Sequence, residues 1–386
     1  MSKNSLTLPR YLSLFLLVSH AAFAQLDFLD AQYSVAGPDE NAKHLDIQYG
    51  TGSVNDGEEL PLHLDLYRPK GPDLPDQMPG IILIHGGSFR FGSKTTDRMP
   101  DLAYYFASRG YIAVSINYRL RGDNPDGNNA ALWAASDASQ AFQWMVENSI
   151  EGGLTEGLMV DKIAIGGGSA GAITSLVMAH SNFPLTQPKA VLNFWGSYTT
   201  NRSVADENDP PVFTVHGTAD RIVSIAFAQI VANECREHGI PYKLISVAGG
   251  GHVLWDEVFN HNYAGQKIID HAADFLYQHL GLGTVPETRL DTLQAGEIEI
   301  EKEEGFLSLY WRVQDNMLYD LRASENLKTP LQDWAIYEDP SKLEDLRSGG
   351  NGTMVLRTPM QSNKGFLSVK EKKSLGQLYD QSKGGL

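Results

Sequence analysis

Six short, mostly apolar runs constrain the fold more than anything else in this sequence: 81–84 (IILI), 112–116 (IAVSI), 163–165 (IAI), 190–194 (AVLNF), 212–215 (VFTV) and 242–247 (YKLISV). A strand with one wet face alternates apolar and polar residues, so runs that do not alternate must be covered on both faces, as in a parallel sheet. Helical patterns lie between them, over 97–109, 130–148, 170–180, 224–237 and 265–280, the first closing at Gly110 as a C-cap. Strand-helix alternation sustained over ~240 residues predicts a doubly wound α/β sheet with helices on both faces. Ahead of it, 44–49 (HLDIQY) and 60–67 (LPLHLDLY) do alternate, and Asn55, Asp56 and Gly57 lie between them, which predicts an antiparallel hairpin.

The pattern changes near Gly281. Short alternating segments follow at 297–301, 306–313, 317–322, 352–357 and 365–369, punctuated by Gly, Pro, Asn and Asp, and they predict a small all-β unit. The other end differs again. Residues 1–24 carry Lys3 and Arg10, then the apolar run 11–18 (YLSLFLLV), then Ala22-Phe23-Ala24, which is the pattern of a secretory signal cleaved before Gln25. The expected organisation is therefore a signal peptide at 1–24, an α/β catalytic domain at 25–283 and a β-sandwich-like module at 284–386. The expected location is periplasmic or secreted.

Charge and composition exclude several partners. The chain carries 31 basic and 47 acidic residues, a net charge of −16, so both nucleic acid and an anionic membrane surface repel it. Its apolar N-terminal run is too short to span a bilayer. A single cysteine, Cys235, allows no intrachain disulfide; it falls on the apolar stripe of the 224–237 helix and is expected to be inert core. No metal-ligand spacing and no phosphate-cradling glycine loop occurs, so neither metal nor cofactor is implied.

The sharpest chemical signal is Gly167-Gly168-Ser169-Ala170-Gly171, a Gly-x-Ser-x-Gly between a predicted strand and a predicted helix. A serine in that context stands on a strained turn with its hydroxyl out over the sheet edge, while the following helix aims N–H groups at the same point. His85-Gly86-Gly87-Ser88 follows the strand 81–84 directly. Gly86, Gly87 and Ala170 are the expected oxyanion donors. An acid and a histidine should follow the serine in that order. Asp220 lies just past the strand 212–215, in His216-Gly217-Thr218-Ala219-Asp220, and His252 ends the glycine loop after 242–247. Asp209 and Asp256 are the rival acids, and neither follows a strand end. Phe89, Phe91, Trp195, Tyr198 and Trp255 lie on loops beside these motifs and are candidates for an aromatic substrate pocket. Only 51 residues separate Ser169 from Asp220. They must hold a helix and two strands, so the site is expected to lack a lid domain.

Together, His-Gly-Gly, the run ending Asn117-Tyr118-Arg119, Gly-Gly-Ser-Ala-Gly and His-Gly-Thr-Ala-Asp resemble an α/β-hydrolase of the carboxylesterase and lipase type, including feruloyl-esterase-like exported bacterial enzymes. The likeness covers residues 45–280. It implies hydrolysis of carboxylic esters through an acyl-enzyme, by a Ser169–His252–Asp220 triad, without a cofactor. Ser88 stands where the family more often has a third glycine. An exported serine peptidase on the same fold is an alternative, as is a binding or adhesion protein that uses the β module. That module resembles small C-terminal β-sandwiches of exported bacterial proteins, and its expected partner is a polysaccharide or other surface carrying the ester.

Overall fold

The structure is a computed structural model of the chain. It describes residues 28–39, 41–54, 57–123, 129–180, 187–198, 207–263 and 266–286 with their side chains, and the backbone of seven further strands between 298 and 374. The expected signal segment, 1–24, lies outside the described residues.

Nine strands carry the first part: β1 (Ser34–Ala36), β2 (Ile47–Ser53), β3 (Glu59–Lys70), β4 (Met78–Ile84), β5 (Ile112–Ile116), β6 (Leu158–Gly168), β7 (Ala190–Phe194), β8 (Val212–Gly217) and β9 (Tyr242–Ala248). The helices are α1 (Met99–Ala107), α2 (Ala130–Glu147), α3 (Ala170–Ala179), α4 (Ile225–Glu237), α5 (Trp255–Asn260) and α6 (Ile268–His279), and a two-residue pairing, β10 (Asn262–Tyr263) with β11 (Gln266–Lys267), precedes α6. The sheet runs β3-β5-β4-β6-β7-β8-β9, parallel from β5 onward, with β1 and β2 both antiparallel to β3.

Burial on both faces explains the unbroken runs. Every residue of β4 is buried. Ile81 and Leu83 face a core built with Leu102 and Phe106 of α1 and Ile269 and Leu276 of α6. Ile82 and Ile84 face the opposite core, with Ala138 and Met145 of α2, Leu176 of α3, and Val231 and Cys235 of α4. Each buried Ile, Leu, Val, Met or Phe side chain among them stabilises the fold by roughly 1.5–3 kcal/mol relative to exposure. Cys235 is fully buried, and burial pushes its thiol up to about 12, which removes thiolate chemistry at neutral pH.

Chain order places the site. From β4 the chain steps outward to β5, then crosses back to β6 on the other side of β4 and continues through β7, β8 and β9. The carboxyl ends of β4 and β6 thus flank a switch point, where a doubly wound sheet opens a crevice.

Beyond residue 297 the strands are β12 (Ile298–Glu303), β13 (Phe306–Arg312), β14 (Met317–Ser324), β15 (Ala335–Ile336), β16 (Leu346–Arg347), β17 (Thr353–Pro359) and β18 (Phe366–Ser374). β12, β13 and β17 pair antiparallel in that order. Residues Thr353, Met354, Val355 and Leu356 of β17 lie parallel to Ile245, Ser246, Val247 and Ala248 of β9. β14 pairs with β15, β16 and β18 in a second sheet. Among the described residues, no helix is long and apolar enough to cross a membrane.

Candidate active site

Ser169 occupies the turn between β6 and α3 with φ 53° and ψ −116°, a left-handed conformation that a non-glycine residue adopts at a cost of order 1–3 kcal/mol. Its N–H is anchored on the Phe194 carbonyl at the end of β7, 2.9 Å away. The motif glycines serve close approach. A Cβ on Gly167 would lie 2.0 Å from the Ile84 carbonyl oxygen, and one on Gly171 would lie 1.9 Å from the same atom. Both therefore let the elbow press on the end of β4, where the His85-Gly86-Gly87 loop begins. Gly171→Ala would improve an ordinary helix, yet here it should drive α3 off β4. We expect a loss of about 2–4 kcal/mol, of the kind that overpacking with backbone movement produces; a urea unfolding midpoint equal to that of the unaltered chain would contradict this.

The structure brings Ser169, His252 and Asp220 into one hydrogen-bonded row. Ser169 Oγ lies 2.8 Å from His252 Nε2, and His252 Nδ1 lies 2.8 Å from Asp220 Oδ2. The other carboxylate oxygen, Oδ1, accepts the backbone N–H groups of Ile222 and Val223 at 2.8 and 2.9 Å. Burial pushes the Asp220 carboxyl upward, but the bonds from His252, Val223 and Ile222 outweigh it and hold the group below its ordinary value, ionised at neutral pH. His216 adds a further donor: its Nε2 is 2.8 Å from the Val223 carbonyl oxygen and 3.3 Å from Asp220 Oδ2. Burial lowers the His216 pKa, so the ring is neutral and its Nε2–H faces both oxygens. The rival acids stand elsewhere. Asp256 is largely exposed beside His261, and Asp209 acts electrostatically on His180.

The oxyanion donors divide differently from the sequence expectation. The Gly86 N–H donates to Asp97 Oδ2 at 2.8 Å and is therefore already engaged. Gly87, at φ 112°, and Ala170, at the first turn of α3, have N–H groups that meet no acceptor among the described residues; the same is true of Ser88. Helix N-termini leave such groups free by construction. Gly87 and Ala170 thus keep N–H groups available to a ligand, and Gly86 does not.

Above these groups opens a cleft of about 420 Å³, lined by Gly87, Phe91, Asp97, Ser169, Trp195 and His252 among others. Its rim is apolar: Phe91, Ile222 and Val253 are 65%, 72% and 61% exposed and all border it. Of the aromatic candidates, Trp195 and Phe91 line the cleft. Trp255 stands behind Trp195, edge-on at 4.6 Å, and donates its indole N–H to Asp97 Oδ1 at 2.7 Å. Phe89 and Tyr198 do not belong to the pocket. Phe89 packs edge-on against Tyr118, and Tyr198 is buried in the opposite core with its hydroxyl 2.9 Å from His180 Nδ1. Among the described residues no group of His, Cys, Asp and Glu is arranged to hold a metal ion.

Two family models match the chain: BD-FAE over residues 64–187, which include His85 to Gly87 and Ser169, and Phospholipase/Carboxylesterase over 128–264, which include Ser169, Asp220 and His252. The fold is an α/β-hydrolase fold. The chain is also similar to Esterase E4 of Myzus persicae, 32% identical over 153 residues, which are 37% of this chain and 26% of that protein. Lipase 1 of Geotrichum candidum is 34% identical over 136 residues, covering 32% of this chain and 22% of its own. The chain thus spans about a quarter of the length of these two relatives. Among solved structures, the native Est2 esterase of Thermogutta terrifontis, a Planctomycetes species, superposes on 63% of this chain and 94% of its own, with a TM-score of 0.49 and 22% identity.

Proposed function

We propose that this protein is a serine hydrolase of carboxylic esters that works through an acyl-enzyme. The observation that carries the reading is the continuous Ser169–His252–Asp220 hydrogen-bond chain beside two unengaged amides, those of Gly87 and Ala170. In the first step His252 Nε2 takes the Ser169 proton as Oγ attacks the ester carbonyl carbon. The oxyanion is received by the Gly87 and Ala170 N–H groups, and the imidazolium is stabilised by Asp220. Collapse expels the alcohol, which takes the proton from His252 and leaves the acyl group on Ser169. Water then repeats the sequence, releases the acid and restores the serine. The apolar rim of Phe91, Ile222 and Val253 favours esters with an uncharged acyl or aryl group. The test is a panel of acetyl, butyryl, longer acyl, aryl, sugar-acetyl and peptide substrates against the purified protein. Turnover of esters that vanishes in Ser169→Ala supports the reading, whereas cleavage of peptides alone would favour the peptidase alternative.

The unit that performs this chemistry is proposed to be 25–283, exported behind the 1–24 segment, with the remainder contacting the surface that carries the ester. A chain ending at Gly283 should keep kcat on small soluble esters within a few-fold of the full chain. It should also aggregate more readily, because removing β17 uncovers the edge of β9. A hundredfold loss of kcat in a folded truncation would show that the later strands belong to the catalytic unit.

A further inference from the structure

Asp97 is the one carboxylate among the six cleft-lining residues named above that the proposed chemistry does not use. The sequence pattern places it at the start of a helix, but α1 begins at Met99, and Asp97 and Arg98 stand before it in the left-handed region with φ 56° and 58°. Two successive non-glycine residues there cost of order 1–3 kcal/mol each, and such strain persists where the surroundings hold it. What holds Asp97 is explicit. One carboxylate oxygen accepts the Gly86 N–H of the oxyanion loop, and the other accepts the indole N–H of Trp255, three residues beyond His252. The carboxylate is wedged between the two loops: a Cβ on Gly86 would meet Asp97 Oδ2 at 2.6 Å. Burial raises the Asp97 pKa, opposed in part by the two donors and by His252.

We infer that Asp97 is a positioning residue that ties the oxyanion loop to the histidine loop across the cleft. It fixes the Gly87 amide and His252 at the separation the reaction needs. Engaging the Gly86 N–H fixes the His85–Gly86 peptide, and His85 Nδ1 holds the Gly86 carbonyl at 2.7 Å, so the Gly86–Gly87 peptide is set with its own N–H left for the oxyanion. Engaging Trp255 sets the first turn of α5 and, with it, the loop that carries His252. Reacting groups must be held to within about half an ångström for full effect, and a bridge of two bonds to an ionised acceptor is a stiff way to do so. Asp97 touches neither Ser169 Oγ nor a ring nitrogen of His252 by hydrogen bond, so it acts through the groups it holds.

This inference rests on the ester-hydrolase reading, and the experiment keeps the two apart. Asparagine offers one acceptor oxygen where the aspartate offers two, so in Asp97→Asn either Gly86 or Trp255 meets an NH2 group. We expect kcat on a small neutral ester to fall about 30- to 100-fold, somewhat less than complete removal of an oxyanion donor typically costs, with KM within threefold. Trp255→Phe removes the competing donor and should by itself lower kcat about fivefold, again with KM little changed. In the double variant the asparagine oxygen is free for Gly86, so kcat should recover to within about threefold of Trp255→Phe alone. A residue that merely packs the wall predicts the opposite order, with the double variant worse than either single one. Asp97→Asn with unchanged kcat, or a double variant below Asp97→Asn, overturns the inference while ester turnover by the unaltered chain still stands. Should Asp97→Asn fail to fold, Trp255→Phe decides: a loss confined to kcat supports the bridge, and an unchanged kcat overturns it. Absence of ester turnover in the unaltered chain would instead remove the reading beneath both.

Discussion

Ser169→Ala should reduce ester turnover by ~10⁴-fold or more while leaving the folded protein intact, and His252→Ala should do the same. In the proposed mechanism the serine oxygen is the atom that becomes covalently bonded, and its one side-chain hydrogen-bond partner among the described residues is His252 Nε2. Alanine keeps the backbone of the elbow, since the N–H of residue 169 still reaches the Phe194 carbonyl and no core side chain is lost. The amides of Gly87 and Ala170 survive both changes, so a residual acceleration over water should persist. Because serine and histidine act on one proton in one step, removing both should be little worse than removing either. Steady-state kinetics on the two single variants and the double one checks this, with circular dichroism as the control for folding. Independent losses that multiply would mean that the two residues do not share a step.

Asp220→Asn should be nearly as severe, about 10³- to 10⁴-fold in kcat, and the structure says why an isosteric change does so much. Two backbone N–H groups, from Ile222 and Val223, demand an acceptor at Oδ1. The asparagine oxygen must therefore stay at that position, which places its NH2 where Oδ2 now accepts His252 Nδ1. His252 can satisfy that donor only by presenting an unprotonated Nδ1, and its remaining proton then sits on Nε2. An imidazole protonated on Nε2 cannot take the Ser169 proton. The loop bonds to Ile222 and Val223 survive, so the thermal midpoint should move little. Near-normal kcat in Asp220→Asn would show that the carboxylate does not set the tautomer.

The sequence made the architecture readable because burial on both faces leaves an unmistakable pattern. β5 and β7 agree with the predicted runs residue for residue, and β4 differs by the extension to Met78. The end of β6 was hidden for a physical reason. Gly166, Gly167 and Gly168 have low strand propensity, yet they pair with Leu192, Asn193 and Phe194 because the elbow needs backbone without side chains against β4. α5 is six residues long, too short for periodicity to register. Within the site, the juxtaposition of Ser169, His252 and Asp220 was legible from strand-end positions and chain order alone. The oxyanion donors were not, because Gly86 and Gly87 look alike in sequence and only the reach of Asp97 separates them. Proximity to motifs also misled for Phe89 and Tyr198: which face of the sheet receives a side chain depends on loop direction, and both turn toward the second core. Asp97 itself gave a misleading signal, since an acidic residue before an apolar run reads as a helix start.

Ser169 is proposed to form the covalent intermediate. An alkyl p-nitrophenyl phosphonate tests it most directly, since Ser169 Oγ would bond to phosphorus as p-nitrophenolate leaves and the adduct cannot be hydrolysed at the rate of an acyl group. The measurement is titration of the purified protein with this reagent, followed by p-nitrophenol release and peptide mapping. The expected result is one p-nitrophenol per chain, loss of ester turnover in proportion, and a single phosphonyl group on the peptide containing Ser169. Full modification of Ser169 with turnover intact, or loss of turnover with the label on a different residue, would contradict it.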